Sequence, residues 1–240
     1  LGDVYKRQVF QRTPNYSIPS QNEPMTADYE KLWKSDYASR REEMRYTPHG
    51  SLKDLNDKSA LSANEEERQL TYQKRWEIGG AGYLGAFNDL LTNAESNNTA
   101  SEFVREKIRE IVKDPVTAEK LSPKTYPIGT KRICIDSGYF ETFNRENVEL
   151  VDINEMPIEK ITPTGLLAAG TTFCFDAIIF ATGFDAMTGS IFNVEINGRD
   201  RKLLREKWSG GPRTYLGLMT EAFPNLFMIT GPGSPSVKSN

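Results

Sequence analysis

Two cationic pairs occupy places where chemistry is possible. Arg12-Thr13-Pro14 closes an apolar stretch that begins at Val9, and Lys131-Arg132 opens another, Ile133-Cys134-Ile135. Pro14 forces Thr13 out of the helical region, which stops the first strand and leaves Arg12 and Thr13 at a sheet's carboxyl edge. A guanidinium and a hydroxyl so placed suit a phosphate, although an arginine at a strand end is also often merely solvated. If the residues between the two pairs form an insertion, the two strands can be neighbours. Arg12, Lys131 and Arg132 then converge with Thr13 on one edge. A 2′-phosphate needs such a cluster, whereas recognition of an unphosphorylated ribose calls for an acid. Unrelated surface charge is the alternative.

Two glycine turns are the other candidates. In FDAIIFATGFD, residues 175–185, the run Ala177-Ile178-Ile179-Phe180-Ala181 is apolar without alternation, as in a strand buried on both faces of a parallel sheet. It ends at Thr182-Gly183, and ligands of open α/β sheets bind just beyond such carboxyl ends. A second apolar run, Asn225–Thr230, leads into Gly231-Pro232-Gly233-Ser234. Backbone N–H groups at such turns suit a phosphate or the carbonyl edge of a flavin. A plain glycine turn and a stiff loop are the alternatives.

The elements that must position these groups come in three blocks. Residues 9–15 and 131–135 read as strands, with Val148–Val151 a further one and Gly138–Asn144 a short turn or helix. Met25 to Pro123 reads as helix. Tyr29, Leu32, Trp33, Tyr37 and Met44 recur at helical spacing, as do Tyr72, Trp76, Tyr83, Phe87, Leu90 and Leu91. Core packing is the expected job of most of this stripe. Ser62–Glu65 and Thr99–Glu102 have the form of capping boxes, the second opening a helix with Val104, Ile108, Ile111 and Val112 inward. Gly79, Gly80, Gly82 and Gly85 mark a break or a close helix contact. Ile158–Thr162 and Leu166–Thr172 predict a hairpin. Ile191–Ile196 predicts a strand turning at Asn197-Gly198, followed by a short basic helix at Leu203–Trp208.

Bulk properties exclude several classes. The 240-residue chain carries a net charge of −3, which gives no electrostatic case for nucleic acid or an anionic membrane. No run approaches the ~20 apolar residues of a membrane span. Cys134 and Cys174 make no disulfide framework and no metal-ligand spacing; they read as buried thiols, which suits a reducing cytoplasm. His49 is the single histidine, so a histidine metal centre or a Ser-His-Asp triad is not expected. Leu1–Gln8, with the string DVYKRQ, resemble a translated library adapter. They are expected to be non-native, with the true gene starting earlier.

FQRTPNYSIP, YPIGTKRICIDSGYFETFNRENVELVD, FATGFDAMTG, GPRTYLGL and FPNLFMITGPGSPSVKSN together resemble the class B flavoprotein monooxygenases. More narrowly, they resemble the Baeyer–Villiger monooxygenases of the phenylacetone and cyclohexanone type. The resemblance runs from Val9 to Asn240, in conserved order, and is weakest over Ser20–Pro123. It implies an α/β fold of interleaved dinucleotide-binding, Rossmann-like domains with a helical insertion, truncated here at both ends. The implied NADP-binding domain comprises residues 1–19 and 124–184, the insertion 20–123, and part of the FAD-binding domain 185–240. Both G-x-G-x-x-G fingerprints and the family's histidine-bearing motif are expected upstream, so the fragment alone is expected to be inactive.

The implied cofactors are FAD and NADPH, and the implied partners a ketone and O2. In the family, NADPH reduces FAD, O2 adds to the flavin, and the resulting peroxyflavin anion attacks the ketone to give an ester or lactone. Carried over by position, Arg12, Thr13 and Lys131 would hold the 2′-phosphate, and Arg132 would be the active-site arginine. Thr182, Gly183 and Asp185 would lie beside FAD, with Gly231, Pro232, Gly233 and Ser234 near the isoalloxazine. Two rivals stand: an N- or S-oxygenating flavin monooxygenase, and a non-catalytic helical interaction module on a degenerate nucleotide-binding fold.

Overall fold

The computed structural model describes residues 6–47, 50, 52, 55–183 and 187–234. The chain divides into two compact units, Leu1–Cys174 and Phe175–Asn240. His49 and Asp185 lie outside the described residues.

The first unit opens with β1 (Arg7–Gln11) and β2 (Ser17–Pro19). A helical block follows: α1 (Ala27–Lys34), α2 (Tyr37–Arg45), α3 (Glu65–Ile78), α4 (Ala94–Ile111) and α5 (Pro115–Leu121). Side-chain oxygens cap four of these helices, from Thr26, Asn64, Asn93 and Asp114, each accepting a backbone N–H of the first turn. The capping boxes expected at Ser62 and Thr99 are displaced. Asn64 is the true cap of α3, and Ser62 instead donates to the Ser59 carbonyl. Asn93 starts α4 before Thr99, which sits inside the helix and donates to the Ser96 carbonyl. A hydroxyl that can bond back to the preceding turn is tolerated mid-helix, so the pattern alone does not locate the start.

The chain then returns to sheet with β3 (Cys134–Asp136), the single-turn α6 (Tyr139–Thr142) and β4 (Val148–Asp152). β1 pairs in parallel with β4, Arg7 opposite Val148, and β2 pairs in parallel with β3, Ser17 opposite Cys134. The helical block is thus inserted between strands that meet. The expected hairpin gains a third strand: β5 (Ile158–Thr162), β6 (Gly165–Ala168) and β7 (Thr171–Cys174) form an antiparallel meander.

Tyr72, Trp76, Tyr83, Phe87, Leu90, Phe103, Val104 and Ile108 share one core with Tyr16 and Ile18 of the β2 region and with Phe140. Gly79 explains how α3 closes on the sheet. Its φ is +72°, and a Cβ there would lie 2.4 Å from the Pro19 carbonyl oxygen, so only glycine permits this approach. Two expectations fail. Tyr29, Leu32 and Tyr37 are exposed, and neither α1 nor α2 buries a residue. Their apolar spacing makes helix, but no described element covers the stripe. Cys134 and Cys174 are exposed as well, because they sit on strands of narrow sheets with an uncovered face.

The second unit carries α7 (Gly189–Phe192) and α8 (Leu204–Lys207), with Leu204, Trp208, Phe223 and Met228 buried together. Helix α7 replaces the front of the strand expected at Ile191–Ile196. The turn at Asn197-Gly198 does form, Asn197 bridging to Leu203. The strands expected at 177–181 and 225–230 are absent: Ile179, Phe180, Phe227 and Ile229 are exposed. A run apolar on both faces becomes a strand when neighbours pair with its edges and cover both faces. Among the described residues no strand pairs with either run; in the second, Met228 N–H donates to the Leu218 carbonyl at 2.8 Å. No helix of the described residues is long and apolar enough to cross a membrane.

Candidate cofactor-binding site

Arg12 and Thr13 are exposed immediately beyond the carboxyl end of β1. The turn is fixed by Asn154, which follows β4: its side-chain amide donates to the Arg12 carbonyl at 2.5 Å and to Asp152 Oδ1 at 2.8 Å. Lys131 and Arg132 are exposed on the approach to β3, which starts later than the sequence suggests. The β2–β3 pairing draws the two segments together. Cys134 N–H donates to the Tyr16 carbonyl at 3.1 Å, and the Asn15 amide donates to the Arg132 carbonyl at 3.4 Å and to Cys134 Sγ at 3.1 Å. Segments more than a hundred residues apart are therefore joined next to all three cations.

Tyr126 completes the join. Its hydroxyl lies 2.8 Å from both the Pro14 carbonyl oxygen and Asn15 Oδ1, sharing one proton between them. Its ring lies under the Lys131 ammonium, 4.4 Å from centroid to Nζ. Burial pushes the phenol up to about 12, so it remains a hydrogen-bond donor across the neutral range. Among the described residues, no carboxylate forms an ion pair with Arg12, Lys131 or Arg132. Other basic side chains nearby are already neutralised, Lys120 by Glu155 and Lys124 by Glu119. The structure thus joins the segments that carry Arg12-Thr13 and Lys131-Arg132, and leaves these cations without a carboxylate partner among the described residues. Asn15, Tyr126 and Asn154 were not singled out from sequence. Their proximity to the cationic pairs, in RTPN, YPIGTKR and VDIN, was the available signal.

In the second unit, Thr182 and Gly183 are exposed. Gly183 has φ +82° with open space around it, so backbone conformation rather than crowding calls for glycine. The turn Gly231–Ser234 is packed against residues 214–218. Gly231 N–H donates to the Gly217 carbonyl at 3.2 Å, and Thr214 Oγ1 donates to the Pro232 carbonyl at 2.6 Å. Gly231, Pro232 and Ser234 are buried, and Ser234 N–H donates within the turn to the Gly231 carbonyl at 3.0 Å. The turn is thus a rigid, mostly self-satisfied platform that presents Gly233, rather than an open row of free N–H groups.

No family model matches the chain. Among curated proteins it is 42% identical over 233 residues to the 2-oxo-Δ3-4,5,5-trimethylcyclopentenylacetyl-CoA monooxygenase of Pseudomonas putida, covering 97% of this chain and 43% of the relative. It is 37% identical over 230 residues to a Baeyer–Villiger monooxygenase of Pseudooceanicola batsensis, covering 95% and 42%. It is also 37% identical over 240 residues to the phenazine N-monooxygenase PhzNO1 of Lysobacter antibioticus, covering 96% and 44%. Among solved structures, OTEMO in complex with FAD and NADP superposes with a TM-score of 0.91 at 41% identity, over 97% of this chain and 44% of that one. Over the length it spans, the chain is similar to Baeyer–Villiger monooxygenases, and its α/β architecture matches that of OTEMO. It spans less than half the length of the curated relatives it matches.

Proposed function

We propose that this chain is part of an FAD- and NADPH-dependent Baeyer–Villiger monooxygenase that converts a ketone and O2 to an ester or lactone. The observation that carries the reading is the cationic edge: Arg12-Thr13 and Lys131-Arg132, joined through Asn15 and Tyr126 with no carboxylate to neutralise them. In this reading residues 1–19 and 124–184 belong to the NADP-binding domain, 20–123 to the helical insertion and 185–240 to the FAD-binding domain. The break between compact units, after Cys174, falls ahead of the last of these boundaries; the family register sets our boundary, compactness does not. The runs at 177–181 and 225–230, which have no strand partner among the described residues, are read as strands of a sheet that the longer enzyme completes. For that reason the chain alone is expected neither to retain FAD tightly nor to turn over. Two unpaired cysteines agree with a cytoplasmic setting.

Once bound, the two cofactors supply hydride transfer and oxygen activation. The chain's own residues bind and orient. Arg12, Thr13 and Lys131 hold the 2′-phosphate, while Thr182, Gly183 and Asp185, with Gly231, Pro232, Gly233 and Ser234, form the flavin side. Arg132 places a fixed positive charge where anionic charge develops during oxygen insertion; a guanidinium stabilises such charge without giving up a proton.

In the full enzyme, Arg132→Ala is expected to cut ester formation roughly a hundredfold or more while NADPH oxidation persists, since a preorganised charge is worth several kcal/mol. NADPH consumption and product yield are measured side by side, and near-normal product removes Arg132 from the chemistry. The likeness to a phenazine N-monooxygenase favours a second reading, oxygenation of nitrogen. Supplying a cyclic ketone and a phenazine to the same enzyme decides between lactone and N-oxide.

A further inference from the structure

We infer that Tyr126 is a specificity-determining positioning residue, which locks Lys131 to the Arg12-Thr13 turn so that the two halves of the 2′-phosphate site keep one geometry. The inference rests on the cofactor reading above and deepens it. Nothing in the sequence separates Tyr126 from the other tyrosines; its contacts do.

Tyr126 touches both halves at once, through different parts of one side chain. The ring face supports the Lys131 ammonium at 4.4 Å. The hydroxyl holds the Pro14 carbonyl and Asn15 Oδ1, immediately after the Arg12-Thr13 pair. A carboxylate could also hold Lys131 in place, but it would cancel the charge a phosphate needs. An aromatic face attracts the ammonium through its quadrupole and leaves the charge uncompensated.

Tyr126 is itself held from behind. Its ring meets that of buried Tyr16 edge-on, at 5.6 Å and 82°. The Tyr16 hydroxyl accepts from Arg105 of α4 at 3.1 Å and donates to the Pro123 carbonyl at 3.2 Å. Farther along, Asn97 of α4 donates to the Ile128 carbonyl at 2.8 Å and accepts from Ile128 N–H at 3.1 Å. The segment carrying Tyr126 is thus pinned on both sides by one long helix.

The test measures equilibrium binding of 2′,5′-ADP and 5′-AMP, which differ only in the 2′-phosphate, by calorimetry on the full enzyme and its Tyr126→Leu, Tyr126→Phe and Lys131→Ala variants. Tyr126→Leu removes both the ring contact and the hydroxyl. It should weaken 2′,5′-ADP by about 5- to 30-fold and 5′-AMP by less than about twofold. Tyr126→Phe keeps the ring, and should weaken 2′,5′-ADP by roughly two- to tenfold. KM for NADPH should rise in step, with kcat unchanged. Equal weakening of both nucleotides, or none, overturns the assignment. Where Tyr126→Leu does not fold, Tyr126→Phe alone decides. Lys131→Ala separates the two levels of failure. If it weakens both nucleotides equally, the phosphate site itself is wrong. If it discriminates while the Tyr126 variants do not, only the role of Tyr126 falls.

Discussion

Residues 6–174 and residues 187–234 treat their apolar side chains differently. The first region runs a continuous core from Tyr16 to Phe143, with Tyr72, Tyr83 and Phe103 stacked or tilted against one another at its centre. The second gathers Leu204, Trp208, Phe223 and Met228 and leaves Phe227 at 71% and Ile229 at 93% exposure. Apolar content is plentiful in both. What differs is whether another element arrives to cover it. The first region also leaves an uncovered stripe on α1 and α2, so the contrast concerns partners rather than composition.

The largest test of this contrast is a pair of truncations. Phe103→Ala should cost about 3–5 kcal/mol of stability in urea unfolding, because its ring is packed between Tyr72, Trp76 and Tyr83. Ile229→Ala in the same chain should stay within about 0.5 kcal/mol, as an exposed side chain has little to lose. Comparable losses would mean that the second region is covered after all.

A smaller effect tests whether the second region is nevertheless specific where it is packed. Gly217 has φ +71°, and a Cβ there would lie 2.5 Å from that of Ser234. Gly217→Ala should therefore cost about 1–3 kcal/mol and loosen the Gly231–Ser234 turn. Unchanged proteolytic protection of that turn would contradict it. Smaller still is Asn93→Ala in the first region. It frees the N–H groups of Glu95 and Ser96 and should cost about 1 kcal/mol, read as a drop in melting temperature.

The smallest effect is electrostatic. Arg109 and Lys124 hold the Glu119 carboxyl down at about 2, below its ordinary value. A depressed carboxylate stabilises the fold above its unfolded value near 4.3, and that stabilisation disappears as pH falls toward about 2. The pair is largely exposed, so the loss should stay below about 1 kcal/mol. Glu119→Gln should flatten the stability profile between pH 4 and 2 by that amount, whereas a profile identical to the parent's would show the pair to be inert.

These differences also explain what could be read from residue order. Helical spacing identified Tyr72, Trp76 and Val104 as core because α3 and α4 cover each other. The same spacing at Tyr29, Leu32 and Tyr37 carried no information about a cover. Apolar runs at 177–181 and 225–230 state that both faces want burial, without naming the neighbours that must supply it. At the candidate site, Lys131-Arg132 precede a strand that starts only at Cys134, and the place of Arg12-Thr13 was legible because Pro14 follows the end of β1. Asn15, Tyr126 and Asn154 were not, since their roles depend on which strands pair.

The parallel pairing of β2 with β3 sets a waiting time during synthesis. Ser17 and Asp136, whose side chains are hydrogen-bonded in the finished pair, are 119 residues apart. At about 5–20 residues per second, β2 leaves the ribosome roughly 6–24 s before its partner. Almost everything made in that interval is the helical block, whose α3 and α4 share the core of Tyr16 and Ile18. The block can therefore cover the apolar side of the orphan strand before β3 emerges.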